Sequence, residues 1–300
     1  MHIRIGTRKS LLSLRQTQLV IDKLLSIFPK YSIEIVPITT KGDQILNKAL
    51  YEIGGKSLFI EAIEDQLIKK HIDIAVHSLK DMPGILDRKF SIVAVLEREC
   101  PNDVLFTGNN NKYKNILDLP KNAIIGTSSP RRTAFIQSLR PDIKVVISRG
   151  NINTRIQKIE NQKIDALILA YAGLKRTNLY DIKNTNIIET TQILPAAGQG
   201  IIAIETLSNN IKMKRICSHI NDTKTWNLAM SERSFLEYLN ADCRTAISAY
   251  ARYNEKQNII TQYMLSDHKS KKMVFCTEET EVSNVKETSI KAAKKLLKSL

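Results

Sequence analysis

Ile72-Asp73-Ile74-Ala75-Val76-His77-Ser78-Leu79-Lys80-Asp81-Met82-Pro83 is the stretch whose reading decides the fold. A short, partly β-branched apolar run stops abruptly in adjacent charges of opposite sign, and it follows a helical pattern over residues 58–70. That combination predicts a buried strand of an α/β unit. Asp81 then lies just past the strand's C-terminal end, and open α/β sheets bind their ligands in the crevice outside those ends. Asp81 is therefore a candidate working carboxylate, although a solvated turn closed by Pro83 would need the same residue types for purely local reasons.

The alternation continues in both directions. Residues 2–6 read as a first strand, 10–27 as a helix with apolar residues at Leu11, Leu12, Leu14, Leu19, Val20, Leu24 and Leu25, and 31–38 as a second strand. Residues 39–57 carry three glycines and no sustained period, so they read as a long loop of the kind that often forms a lid. After the Asp81 turn, 90–96 is another strand and 97–103 a crossing segment to a second domain. There, strands at 123–125, 144–147 and 165–170 alternate with helices at 130–139 and 151–159, again predicting a mainly parallel sheet. Residues 177–191 are polar, and 193–200 read as a return crossing before the apolar run 201–204. A long helix over 223–239, short strands near 246–252, 258–265 and 272–277, and a basic last helix make a small α+β domain. The expected architecture is two doubly wound α/β domains, 1–99 with 196–218 and 100–195, followed by a third domain over 219–300.

A chain of 300 residues can bury several cores. Cys100, Cys217, Cys243 and Cys276 are far apart and form no CxxC pair, which suggests neither a disulfide framework nor a zinc site. The N-terminus alternates like a strand without a secretion-signal core, and no apolar run approaches a membrane span, so a cytoplasmic protein is expected. The formal charge is +15, and residues 101–200 are the most basic third, with 14 Lys and Arg against 7 Asp and Glu. Such a balance suits nucleic acid, an anionic membrane surface or a small polyanion, and net charge alone does not choose among them.

The positions of the arginines do. Thr7-Arg8-Lys9-Ser10, Gly126-Thr127-Ser128-Ser129-Pro130-Arg131-Arg132 and Ser148-Arg149-Gly150-Asn151-Ile152-Asn153-Thr154-Arg155 all occupy strand-to-helix junctions, and Arg176 follows a fourth strand end. Ser129 suits the N-cap and Pro130 the first helical position. Arginine in a first turn opposes the helix dipole, which favours anions there by about 0.3–1 kcal/mol. An anionic ligand reverses that sign, because backbone N–H groups, hydroxyls and guanidinium forks then all face negative oxygens. Each arginine taken singly could equally reach solvent or pair with a surface carboxylate. Planar forks in a cleft suit carboxylates or phosphates better than a nucleic-acid backbone, and the few aromatics are not interleaved with the arginines. Neither a Gly-x-x-x-x-Gly-Lys-Ser/Thr loop nor a Gly-x-Gly-x-x-Gly turn is present, which leaves carboxylates as the leading ligand.

These segments, with Thr40-Lys41-Gly42-Asp43, Gly54-Gly55-Lys56-Ser57-Leu58-Phe59 and Pro195-Ala196-Ala197-Gly198-Gln199-Gly200, occur in an order that resembles the hydroxymethylbilane synthase (porphobilinogen deaminase) family. The likeness is close to about Cys243 and loose beyond it. It implies two periplasmic-binding-protein-like domains around a cleft, and a third domain carrying a dipyrromethane cofactor through a thioether to Cys243. It implies an enzyme, a transferase that condenses four porphobilinogen molecules head to tail on that primer, losing ammonia each time, and then hydrolyses off a linear tetrapyrrole. Each pyrrole brings an acetate and a propionate, which are charged at neutral pH.

By the same resemblance, Asp81 faces the pyrrole nitrogens and stabilises the cation formed as ammonia leaves. Ser78, Lys80, Thr127, Ser128, Ser129, Arg131 and Arg132 would join it in holding the cofactor. Arg8, Ser10, Arg149, Arg155 and Arg176 would hold substrate carboxylates, and Lys56 belongs to the family's active-site lid. Porphobilinogen is the expected partner, with no nucleic acid, no membrane and a monomeric chain. Two departures stand beside the cofactor cysteine: Ala241-Asp242 replaces the family's Gly-Gly, and Arg244-Thr245-Ala246-Ile247-Ser248 also differs. Glycine permits positive φ that Ala tolerates poorly, so a rebuilt loop is expected, and the Asp242 charge would raise the thiol pKa. A non-catalytic cleft protein that binds a small polyanion is the competing reading; it predicts ligand binding without ammonia release.

Overall fold

The computed structural model describes residues 1–40, 60–108, 113–161, 164–180, 185–241, 245–267 and 272–300. In chain order it lays down β1 (His2–Arg8), α1 (Leu11–Ile27), β2 (Ser32–Ile38), α2 (Glu61–Ile68), β3 (Ile74–Ser78) and β4 (Phe90–Val95). There follow β5 (Asp103–Phe106), β6 (Ile124–Gly126), α3 (Pro130–Leu139), β7 (Lys144–Val146), α4 (Ile152–Glu160), β8 (Ala166–Ala170), α5 (Tyr171–Arg176) and β9 (Thr185–Ile187). The chain then adds β10 (Ile202–Leu207), α6 (Ile211–Ser218), α7 (Thr223–Tyr238), β11 (Ile247–Tyr253), β12 (Ile259–Ser266), β13 (Met273–Thr280) and α8 (Val285–Ser299).

Two sheets share one plan. The first runs β2-β1-β3-β10-β4 and the second β7-β6-β8-β5-β9. In each, the first three strands are parallel and the fourth is antiparallel to its neighbours. The sheets are thus mixed rather than mainly parallel, and the cause is the pair of crossings. β5 and β10 are the first strands after each crossing; Asp103 opens opposite Ala170 and Ile202 opposite Ser78, so both strands start at the C-terminal ends of their parallel neighbours and run away from them. β5 and β9, only four and three residues long, carry too little pattern to stand out from the polar segments around them. The molecule is two doubly wound α/β domains with a small C-terminal α+β domain, whose antiparallel sheet runs β11-β12-β13.

One face of the first sheet, with α1 packed on it, buries Ile3, Ile5, Val20, Leu24, Ile74 and Ile204 completely. Each such side chain contributes roughly 1.5–3 kcal/mol relative to exposure. A second core gathers Leu105, Ile125, Phe135, Ile136 and Ile168. Helix starts follow local chemistry: Ser10, Ser129, Asn151 and Asp222 each accept a hydrogen bond from the backbone N–H three residues on. α1 departs from its apolar reading, because Leu11 and Leu19 are exposed while Ser13, Gln16 and Thr17 share the buried face with Val20, Ile21 and Leu24. The helix is amphipathic, but the first two turns bury a polar face.

The third domain is fastened to both crossings through Glu232 of α7, which is fully buried. Its carboxylate pairs with Arg98 of the first crossing at 2.6 Å and accepts from the N–H of Gly198 in the second at 2.6 Å and of Ala251 in β11 at 2.8 Å. No described helix is long and apolar enough to cross a membrane.

Candidate active site

The C-terminal ends of β1, β3, β6, β7 and β8 converge on a cleft of about 550 Å³. The strand order dictates this, since parallel strands point the same ends at one edge and the helix N-termini begin there. A smaller pocket of about 190 Å³ adjoins it, sharing Lys80, Asp81, Ser128, Arg132 and Arg155 as walls. Asp81 is the one carboxylate among the described residues lining either cavity.

Asp81 ends a short 3₁₀ turn, Leu79–Asp81, directly after β3. Leu79 and Met82 on either side are buried, and they pack with Val95, Ile201 and Ala229. The Leu79 N–H donates to Ile201 O at 3.0 Å and the Met82 N–H to Leu79 O at 3.1 Å. With both flanks pinned, Lys80 and Asp81 are turned toward the cavities. Gly198, at φ +73°, lets the return crossing lie against this turn, because a Cβ there would stand 2.8 Å from the Leu79 side chain and 3.0 Å from the Lys80 N. Ser78, at the strand's end, lies 2.8 Å from the Gln16 amide nitrogen. Gln16 is buried on α1 and lines the cleft, a residue that sequence reasoning missed; its signal is the polar run Ser13, Gln16, Thr17 on the inward stripe of an otherwise apolar helix. His77, one residue earlier, points away into the core, where its Nε2 lies 3.0 Å from a Glu205 oxygen.

The cations divide into two sets. Arg131 and Arg132 are buried, and both meet Asp103, whose carboxylate is fully buried at the start of β5. Arg131 Nη2 approaches Asp103 Oδ2 to 2.7 Å, and Arg132 approaches Oδ1 to 2.7 Å while also donating to Ile168 O at 2.8 Å. Gln199 of the return crossing donates to the same Oδ1 at 2.9 Å. Burial alone would raise the Asp103 pKa, but the two guanidiniums and Gln199 hold it well below the usual carboxylate range. The trio therefore carries a net single positive charge, and Asp103 is a second residue the sequence reading missed.

The other set faces the cleft. Arg8, Arg149, Arg155 and Arg176 all line it, as does Ser10, whose hydroxyl also caps α1. Arg155 is braced by its Nε on Gly150 O at 2.9 Å, and Arg176 by Nη2 on Gly200 O at 2.7 Å. Burial and the crowding by Arg132, Arg149 and Arg8 push Arg155 down to about 10, against the pull of Asp81. Burial likewise takes Arg176 to about 10, with Glu99 opposing. Half-buried Lys80 falls to about 8, through burial first and the nearby Arg132 and Arg131, with Asp81 and Asp103 pulling the other way. Burial leads in all three, neighbouring cations add to it at Arg155 and Lys80, and a bound anion would counter both effects.

Ser128 donates to Ser148 O at 2.9 Å, Thr127 Oγ1 accepts from the Ser129 N–H at 3.3 Å, and Ser129 Oγ caps α3. Ser128 lines both cavities and Ser129 the smaller one, whereas Thr127 is buried beneath them. Thr245 and Ile247 form part of the smaller pocket's wall, on the third-domain side. Cys243, Lys56 and residues 41–57 of the lid expected over 39–57 lie outside the described residues. On the N-terminal side of Cys243, the left-handed backbone belongs to Asn240, at φ +48°, and Ala241 is not left-handed. Its position makes no demand for glycine.

A family model described as porphobilinogen deaminase, dipyromethane cofactor binding domain, matches residues 3–215, and one described as porphobilinogen deaminase, C-terminal domain, matches 226–298. A porphobilinogen deaminase of Rickettsia canadensis (strain McKiel) is 51% identical over 298 residues, covering 99% of this chain and 98% of the relative. One from Rickettsia prowazekii (strain Madrid E) is 50% identical over 295 residues, covering 98% of each. Among solved structures, the extracellular-binding protein ytmK of a probable amino-acid ABC transporter from Bacillus subtilis aligns with 80% of this chain and 97% of its own, at 14% identity and a TM-score of 0.47.

Proposed function

The chain belongs to the porphobilinogen deaminase family, and on that premise we propose how its own residues divide the work. The family reaction joins four porphobilinogen molecules head to tail on a dipyrromethane primer and releases hydroxymethylbilane. In each condensation a C–N bond breaks, ammonia departs, a C–C bond forms at a free pyrrole α-carbon, and that carbon loses its proton. The primer supplies the first such α-carbon.

The residues present fit that group. Its acetate and propionate side chains need cations, and the two adjoining cavities offer Lys80, Arg132 and Arg155 on shared walls around one carboxylate. Lys80, Ser128, Ser129, Arg131 and Arg132 would hold the primer's carboxylates in the smaller pocket, beside the third-domain wall at Thr245. Ser78 shares that task from the strand end. Thr127 acts through Ser129, whose N–H it binds, and Cys243, two residues before Thr245, is the proposed attachment point. Arg8, Ser10, Arg149, Arg155 and Arg176 would hold the carboxylates of the incoming porphobilinogen in the larger cleft.

The observation that carries the reading is the position of Asp81, the one carboxylate among the described lining residues, on a pinned turn at the junction of two cation-lined cavities. The surrounding cations meet the substrate's carboxylates, so Asp81 is left to face the positive charge that develops as ammonia leaves and to take up the proton that carbon sheds. A preorganised charge of this kind is worth about 10²–10³ in rate. The expected outcome for Asp81→Asn is a kcat lower by about that factor with substrate still bound, measured as ammonia release on protein whose cofactor mass has been verified. Wild-type ammonia release would remove Asp81 from the chemistry. A cleft that only binds polyanions would release no ammonia from either protein.

A further inference from the structure

The turn that carries Asp81 is held from behind by the third domain. Arg233 of α7 is buried, and its Nη2 donates to Pro83 O at 2.9 Å and to Gly84 O at 3.1 Å. The next contact runs the other way, since the Gly84 N–H donates to Ala241 O at 3.2 Å, two residues before Cys243. Gly84 lies so flat against the end of α7 that a Cβ would stand 2.8 Å from Leu236 backbone atoms and 3.0 Å from Ala241 O. Upstream, Leu79 and Met82 pack against Ala229 of the same helix.

A buried guanidinium normally meets a carboxylate, as Arg98, Arg131 and Arg132 do here. Arg233 instead spends two donor contacts on the backbone of the segment that follows Asp81. Among the described residues its charge is balanced from farther away, by Glu237 and Glu205, and burial pushes it down to about 10. Its location is not that of a substrate ligand, because it lines neither cavity.

We propose that Arg233 is a positioning residue for the reaction: by chelating the Pro83 and Gly84 carbonyls it fixes Asp81 relative to the Ala241 end of the cofactor-bearing loop. Through this clamp the third domain sets the position of the turn that carries the working carboxylate. The inference rests on the role given to Asp81 above. A misplacement of about 1 Å at a reacting centre costs on the order of 10² in rate, whereas substrate carboxylates held by other arginines are unaffected.

The test uses full-length Arg233→Ala and Gly84→Ala, each checked for folding by thermal melting and for cofactor by intact mass. The expected result for Arg233→Ala is kcat lower by about 10²-fold, KM within about threefold of wild type, and partial recovery of kcat with millimolar guanidinium. Gly84→Ala, which must lift the turn off α7, shows the same loss confined to kcat. Should Arg233→Ala fail to fold, Gly84→Ala decides alone. Loaded variants with wild-type kcat, a loss confined to KM, or a loss confined to cofactor loading would each overturn the proposal. If Asp81→Asn is itself fully active, the assignment of Asp81 fails instead. An inactive Asp81→Asn beside a fully active Arg233→Ala sinks the clamp alone.

Discussion

Replacing Asp103 with Asn tests the charge arrangement beneath the candidate site. The carboxylate is fully buried, and it receives Arg131 at 2.7 Å, Arg132 at 2.7 Å and Gln199 at 2.9 Å. Asn keeps the shape and one acceptor but removes the charge, leaving two buried guanidiniums with no counter-ion among these contacts. Breaking a buried pair from one side costs about 3–5 kcal/mol. At about 2 °C per kcal/mol for a chain of this size, Tm should fall by roughly 6–10 °C in protein prepared without cofactor. The loss should be smaller in loaded protein, where the primer's carboxylates supply part of the missing charge. The sign with pH follows from the depressed folded pKa: the unfolded state binds more protons than the folded state below the ordinary value near 3.9. The gap between wild type and variant should therefore be flat from pH 8 to about 5 and close only as the medium becomes more acidic. Melting curves of both proteins across pH provide the assay. A Tm loss under about 2 °C, or a gap that closes between pH 7 and 5, would show that Asp103 is not the counter-charge of the two arginines.

Three further outcomes follow from the same geometry. At a pKa of about 8, roughly one Lys80 amine in ten is neutral at pH 7, against about one in 2,500 for an ordinary lysine; competitive acetylation of cofactor-free protein should label Lys80 at least about tenfold ahead of surface lysines, and loading should protect it. Equal labelling would count against its crowded, cationic setting. Arg155→Leu removes a proposed carboxylate ligand worth about 1.5–3 kcal/mol, so KM should rise by at least about tenfold while kcat changes less; a fall in kcat alone would place Arg155 in the chemical step. Ala241→Gly should lower Tm by about 1–2 °C, because Ala241 is not left-handed and glycine only adds freedom to the unfolded chain. A rise in Tm would show that the family's glycine is needed here too.

Much of the architecture was legible because its determinants are local. Ser129 and Pro130 announce α3, and the apolar run before His77 announces β3, since caps and periodicity act over a few residues. What stayed hidden depends on pairing across long separations. Nothing near Asp103 indicates that its partners lie 28 and 29 positions away, or that Gln199 joins them from the other crossing. The mixed sheets were hidden for the same reason, because strand direction after a crossing is set by where the crossing enters the opposite sheet.

The arginines at the strand-to-helix junctions read alike as anion ligands, yet Arg131 and Arg132 share an internal carboxylate, while Arg155 and, after the fourth strand end, Arg176 rest on carbonyls and face the cleft. A carboxylate partner neutralises, whereas a carbonyl partner orients a guanidinium without cancelling its charge. Arg155 and Arg176 therefore keep a charge that these backbone partners do not cancel. Asp103 makes the pair at α3 tolerable without a ligand, and Asp81, sharing pocket walls with Lys80, Arg132 and Arg155, remains the carboxylate with work left to do.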